Sequence, residues 1–167
     1  MAAIRLARRA IEFTNEACAR TYINPYFMAA IALTPELQLT PEKYISGRWG
    51  SGAVDYGIEW RNATGMYVVG ITEAKTKKTL SSGFPQNVMQ LDAALTTRDA
   101  WDPRSNSEPS VCYGIVTDAK YWEFIECRMV PMDATAIIRG PPIVRKAKLP
   151  IIVDYNKDTW ADDVQEV

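Results

Sequence analysis

The sequence contains no histidine. That absence excludes a Ser-His-Asp or Cys-His catalytic centre, a histidine general base and histidine-ligated zinc. Cysteine is scarce as well. Cys18, Cys112 and Cys127 are odd in number, far apart in the chain and without a Cys-x-x-Cys pair. Neither a zinc site nor a disulfide framework is indicated, and buried reduced thiols of an intracellular protein are expected. No apolar run approaches the ~20 residues that span a bilayer, so no membrane partner is expected. The start of the chain, Met1 to Arg9, lacks the unbroken apolar core of a secretory signal. Its arginines, with no acid before Glu12, resemble a presequence faintly, and an amphipathic helix of the fold accounts for them better. A surplus of positive charge is also missing. The net charge of −1 argues against a strongly nucleic-acid-binding surface. From Pro150 onward, Asp154, Asp158, Asp162, Asp163 and Glu166 face only Lys157, which leaves 18 bases against 15 acids before that point. Residues 154–167 are therefore expected to form an acidic tail. Any hydrolysis must be carried out by carboxylates, lysine and a metal.

What is present is one domain's worth of chain. At 167 residues with 47% hydrophobic and 23% charged residues, it is long enough and apolar enough to bury a core. A single domain over 1–153 is expected. Ile4, Ala7, Ile11, Ala17 or Cys18 and Tyr22 recur at helical spacing and predict a helix over 3–22. Along another face Arg8, Glu12, Glu16 and Arg20 follow at i, i+4 steps, either as a solvated ladder or with one Glu reaching a site. Asn24-Pro25 is expected to interrupt this helix or begin a second. Thr34-Pro35-Glu36 and Thr40-Pro41-Glu42 both read as helix starts. Tyr44 to Trp49 reads as a short strand. Val54 to Trp60 alternates, with Val54, Tyr56, Ile58 and Trp60 on one face and Asp55, Gly57 and Glu59 on the other. Glu59 is expected at a solvated hairpin end. Arg61-Asn62-Ala63-Thr64-Gly65 predicts the turn and Met66 to Lys75 the returning strand. Thr76 to Gly83 is expected as loop. A helix over 84–97 follows, with Val88, Leu91 and Leu95 as its buried stripe. Trp101 to Pro109 reads as loop, Val111 to Thr117 as strand, Asp118-Ala119-Lys120 as turn and Tyr121 to Cys127 as strand. Ala134 to Ile138 and Ile143 to Val153 are apolar, broken by Gly140-Pro141-Pro142.

The chemistry concentrates between Gly52 and Gln90. Strand parity puts Glu73 and Lys75 on the same face, and an antiparallel partner can carry Asp55 beside them. Carboxylates are hard oxygen ligands suited to Mg²⁺ or Mn²⁺. Asp55, Glu73 and the backbone carbonyl of Ala74 form a candidate ligand set. Lys75 is positioned to orient or deprotonate a water, or to stabilise charge developing on phosphoryl oxygens. Gln86 can hydrogen-bond the water or a phosphate oxygen, and Gln90 can support it from one turn later. Lys77, Lys78 and Gln90 are candidate nucleic-acid contacts. Arg139, Arg145 and Lys146 are further candidates for phosphate, although each of these charges alone is more simply a solvated surface charge.

At these residues the chain resembles the PD-(D/E)xK nuclease superfamily, with Val54 where the motif's name has proline. Asn15-Glu16-Ala17-x-x-Arg20, Gly52-Ala53-Val54-Asp55-Tyr56, Val69-Gly70-Ile71-Thr72-Glu73-Ala74-Lys75 and Gln86-Asn87-x-x-Gln90-Leu91 resemble nuclease-type domains of fungal and oomycete Crinkler effectors. Tyr113-Gly-Ile-Val-Thr-Asp118 followed by Trp122-Glu-Phe124 fits the same group and is similar to the nuclease domain of type I restriction subunits. The resemblance implies an α/β restriction-endonuclease-like core of helix, three strands, helix and strand, with a mixed sheet flanked by helices. It implies metal-dependent phosphodiester hydrolysis, with DNA ahead of RNA as the partner. It selects Glu16 as the acid of the first helix and places Gln86 in the site. A nuclear location is implied, and a homodimer is left open. A non-catalytic effector or interaction module that keeps the nuclease fold is the alternative.

Overall fold

A computed structural model describes residues 2–48, 50–62, 65–101, 111–129, 141–153 and 155. Several sequence expectations lie outside these residues: Trp49 as a strand end, the turn residues Ala63 and Thr64, and the loop over 102–109. The same holds for the apolar segment Ala134 to Ile138, for Arg139, Gly140 and Asp154, and for 156–167 of the acidic tail. The described chain is a mixed α/β structure of three helices and a seven-stranded mixed sheet. Helices α1 (Ala2–Ala10) and α2 (Glu16–Ala32) precede strands β1 (Leu37–Gly47), β2 (Gly50–Asn62) and β3 (Gly65–Ala74). Helix α3 (Leu80–Trp101) leads to β4 (Val111–Thr117), β5 (Tyr121–Arg128), β6 (Ile143–Lys146) and β7 (Ile151–Ile152). Strands β1 to β6 lie in sequence order, and β7 pairs with β5. Every pairing is antiparallel except β3 with β4. A parallel pair needs a crossover, and α3 supplies it.

Alternating residues of the sheet feed two cores. Tyr22, Ile23 and Phe27 of α2 pack with Ile4 and Ala7 of α1, Ala74, Trp122 and Tyr155. Leu91, Ala94 and Leu95 of α3 pack with Ile71, Cys112, Val116, Ile125 and Cys127. The helices therefore cover both faces of the sheet, which is why its central strands are apolar on both sides. Two glycines let α3 come close. A Cβ at Gly114 would collide with the Asn87 side chain, and one at Gly83 would collide with Val116.

The helical start differs from the pattern. The break falls at 11–15, where the Asn15 side chain accepts from Cys18 N–H at 2.9 Å and caps α2. Pro25 lies inside α2, at the cost of one intrahelical hydrogen bond, because Tyr22, Ile23 and Phe27 are held by the core on either side of it. The two Thr-Pro-Glu segments start no helix. The first forms the turn into β1, and Pro41 lies in β1, an edge strand, where its missing N–H is tolerated. β1 is accordingly longer than the sequence pattern suggests.

The faces of β2 also depart from simple alternation. Val54 belongs to the α3-side core and Tyr56 to the α2-side core, so the strand turns over at Asp55. Opposite that point, between the Pro41–Tyr56 and Lys43–Val54 pairs, Glu42 adopts φ 51°. Further along, Ile58 pairs with Gly70 and Glu59 with Val68, so Val69 is the extra residue of a bulge. As a result Trp60 is exposed, and Glu59 is buried rather than solvated. The Glu59 carboxylate accepts from Lys43 Nζ at 2.7 Å and from Thr40 Oγ1. The first turn of α3 takes up residues expected as loop, and the helix continues to Trp101. β4, the turn after it and β5 lie where periodicity puts them. The Asp118 carboxylate accepts from Lys120 and Tyr121 N–H at 3.0 and 2.7 Å to close that turn. Tyr155, within the stretch expected as tail, is buried and donates to Ala119 O at 2.8 Å.

Candidate functional site

The antiparallel ladder between β2 and β3 ends at the Tyr56–Thr72 pair. Beyond it the two strands carry Asp55 and Glu73 at the point where the sheet opens. Asp55 Oδ2 accepts the Ala74 N–H at 2.8 Å, filling the place a partner-strand carbonyl would have taken. On its far side β3 stays locked to β4, with Lys75 N donating to Thr117 O at 2.8 Å. The segment Glu73-Ala74-Lys75 is therefore held at both edges.

Glu73 is buried, and its carboxylate is surrounded by donors. Oε2 accepts from Lys75 Nζ at 3.1 Å and Gln86 Nε2 at 2.9 Å, and Oε1 accepts from Gln90 Nε2. Burial is the main cause that pushes its carboxyl above the usual carboxylate range. Hydrogen bonds from Gln90 and Lys75 and the Lys75 charge draw it back, and the Asp55 charge pushes it up again. Two acids that feel each other's charge across this gap are what a shared cation would relieve. Lys75 is itself buried, so its stem runs under Gly83, whose lack of a side chain leaves room for it.

The Asp55 side chain is 20% exposed, and its Oδ1 is paired with Arg20 Nη1 at 3.3 Å. Arg20 also reaches Glu42 Oε1 at 3.4 Å. Sequence reasoning put Arg20 on a ladder face and gave it no function. The signal was its place one helical turn after Glu16, in the motif Asn15-Glu16-Ala17-x-x-Arg20. Glu16 itself accepts from Thr79 Oγ1 at 3.3 Å, in the Thr76–Thr79 turn that follows Lys75. Among the described residues no hydrogen bond joins it to Asp55, Glu73 or Lys75, so the arginine of α2, and not its glutamate, touches the centre directly.

The structure thus gathers Asp55, Glu73, Lys75, Gln86 and Gln90, with Ala74 between the two acids. Lys77 and Lys78 are exposed on the turn beyond Lys75. Gln90 turns its amide nitrogen to Glu73. Arg145 and Lys146 are engaged elsewhere, with Glu126 at 3.9 Å and Glu123 at 2.7 Å. Among the described residues no group of three or more His, Cys, Asp or Glu side chains forms a metal cage. Two carboxylates and a backbone oxygen could serve a cation, a donor set that suits Mg²⁺ because Mg²⁺ keeps several waters. Nor does any described helix have the length and apolarity to cross a membrane.

The chain is 29% identical over 157 residues to Crinkler effector protein 1 of Rhizophagus irregularis. The resemblance is to a Crinkler effector. It takes in 91% of this chain and 30% of that protein, so the chain spans about a third of the Crinkler relative's length. No family model matches the chain.

Proposed function

We propose that this chain is a metal-dependent nuclease whose sheet and helices form a restriction-endonuclease-like PD-(D/E)xK core. The observation that carries this reading is the convergence of Asp55 and Glu73 where β2 and β3 part, with Lys75 bonded to Glu73. Asp55, Glu73 and the Ala74 carbonyl would hold Mg²⁺ or Mn²⁺. A bound ion of this kind supplies Lewis acidity toward a phosphoryl oxygen and an activated water at neutral pH. The residues of the chain do the rest. Lys75 holds its ammonium beside Glu73 in a site largely closed to water, where a positive charge stabilises developing oxyanion charge more than it would in bulk solvent. Gln86 and Gln90 fix the Glu73 carboxylate in one orientation by gripping both of its oxygens. Arg20 holds Asp55 aligned until a ligand takes its place. Nucleic acid, with DNA ahead of RNA, is the proposed substrate, and Lys77 and Lys78 lie where they can meet its backbone.

The test is cleavage of single- and double-stranded DNA and RNA with Mg²⁺ or Mn²⁺, with Lys75→Ala and a chelator as controls. Cleavage by the wild type that both controls abolish is expected. Equal cleavage by Lys75→Ala overturns the assignment.

The full engagement of Glu73 by three donors favours a second reading, an interaction module that keeps the fold without the chemistry. Titration calorimetry separates the two. Heat from Mn²⁺ binding that disappears in Asp55→Asn supports the enzyme, and no binding supports the module.

A further inference from the structure

Beside the acidic centre, between the β1–β2 hairpin and α3, lies a cavity of ≈ 260 Å³. Ile45, Met89 and Ala93 give it apolar walls, and Gly52 lies on its strand side. Gln86 and Gln90 close the end nearest Glu73, since the same two side chains donate to that carboxylate. Among the described residues its lining has no charged side chain. A phosphate would find no counter-charge there, so the occupant is neutral.

Apart from the two glutamines, Ser51 is the polar side chain of the lining, and its hydroxyl accepts from Tyr44 at 2.9 Å. A carboxylate can only accept, so the bonds to Glu73 fix both amide nitrogens toward it. The Gln90 carbonyl oxygen is then left buried without a hydrogen-bond partner. A buried acceptor of this kind is completed by an N–H donor. Gly52 adds space, because a Cβ built there meets nothing within 4 Å. An apolar slot, no charge and an acceptor wanting a donor match a flat neutral heterocycle with an N–H edge. We infer that this cavity receives one unstacked nucleobase of the bound strand, next to the phosphodiester presented to Asp55 and Glu73. The inference rests on the nuclease reading for its choice of heterocycle, and it makes single-stranded or locally opened nucleic acid the substrate class. A base in an intact duplex is stacked and paired and cannot enter without being extruded.

Binding is measured by fluorescence anisotropy in chelator, so that no cleavage is required. The probes are a short fluorescein-labelled oligodeoxyadenylate and a strand of the same length made entirely of abasic sites. The base-bearing strand is expected to bind on the order of tenfold more tightly. Gly52→Leu, which fills the slot from a position with free space, is expected to erase that difference while leaving the melting temperature unchanged. Met89→Trp, altering an exposed side chain of the opposite wall, serves if Gly52→Leu does not fold. Equal affinity for the two strands, no binding of either, or a preference that survives the filled slot overturns the proposal. Base-selective binding without metal-dependent cleavage leaves the cavity assignment standing and removes the nuclease reading. Cleavage without base selectivity does the reverse.

Discussion

Glu73→Ala separates a structural from a chemical role for the centre, because Glu73 neutralises a lysine that is itself buried. The Lys75 side chain is 10% exposed and Glu73 is its ion partner at 3.1 Å. Removing the glutamate strands an ammonium in low dielectric and leaves the amide nitrogens of Gln86 and Gln90 without an acceptor. Breaking a buried pair from one side costs about 3–5 kcal/mol. In a domain of this size that lowers Tm by about 6–20 °C. Lys75→Ala is expected to cost less, because the remaining carboxyl keeps two amide donors and already sits above the usual carboxylate range, so it can take a proton. The double variant removes both charges and is expected to be more stable than the sum of the singles implies, by about 1–3 kcal/mol. Urea unfolding at neutral pH, followed by tryptophan fluorescence, measures all four corners. Additive losses, or a Glu73→Ala cost below that of Lys75→Ala, would refute the buried-pair argument. Lost cleavage in Glu73→Ala therefore mixes lost chemistry with lost stability, and Lys75→Ala is the cleaner test of chemistry.

The other expectations concern neighbouring features. Asp55→Asn keeps an oxygen for the Ala74 N–H but loses the charge, so calorimetry is expected to show lost Mn²⁺ binding with little change in Tm. Gly114→Ala forces a methyl group against the buried Asn87 amide and is expected to destabilise by about 1–3 kcal/mol in urea. Burial, opposed by the Arg20 charge and reinforced by Asp55, raises the Tyr56 hydroxyl from 10 to about 12. The unfolded chain then loses this proton first. Stability from Tyr56 is complete below pH 10 and falls as pH rises toward 12, and Tyr56→Phe is expected to flatten that fall in pH-dependent urea titrations. Thr14 hydrogen bonds lower the Cys18 thiol, whereas Cys112 and Cys127 are fully buried. One thiol of three is expected to react quickly with a disulfide reagent, and Cys18→Ser is expected to abolish that phase.

The segment Glu73-Ala74-Lys75 was legible because its information is local. A two-residue period places Glu73 and Lys75 together whatever surrounds them, and the stripe of Val88, Leu91 and Leu95 fixes which side of α3 turns inward. That in turn aims Gln86 and Gln90 at β3. The strands flanking Asp118 were readable for the same reason. The misreadings occur where long-range packing decides. Pro25 looked like a boundary, yet the core on both sides of it carries α2 through. Thr40-Pro41-Glu42 carries a helix-start pattern, and its pairing with β2 overrules the pattern. Glu59 alternated onto a solvent face until the Val69 bulge and the twist at Asp55 carried it to Lys43. Arg20 could not be assigned from spacing, because its partner lies 35 residues away on another element.

Each acid of the centre has a cation supplied by the chain, Arg20 for Asp55 and Lys75 for Glu73. The four charges sum to zero within the fold, so the carboxylates can be brought together during folding without an ion from solution. On the proposed metal-dependent reading, metal loading and folding would then be separate events, unlike small domains that are unfolded until they bind zinc. A chelator should leave the melting temperature where it is. An ion arriving on that reading would compete with Arg20 for Asp55, which would make α2 a participant in loading the site and not merely a layer over the sheet.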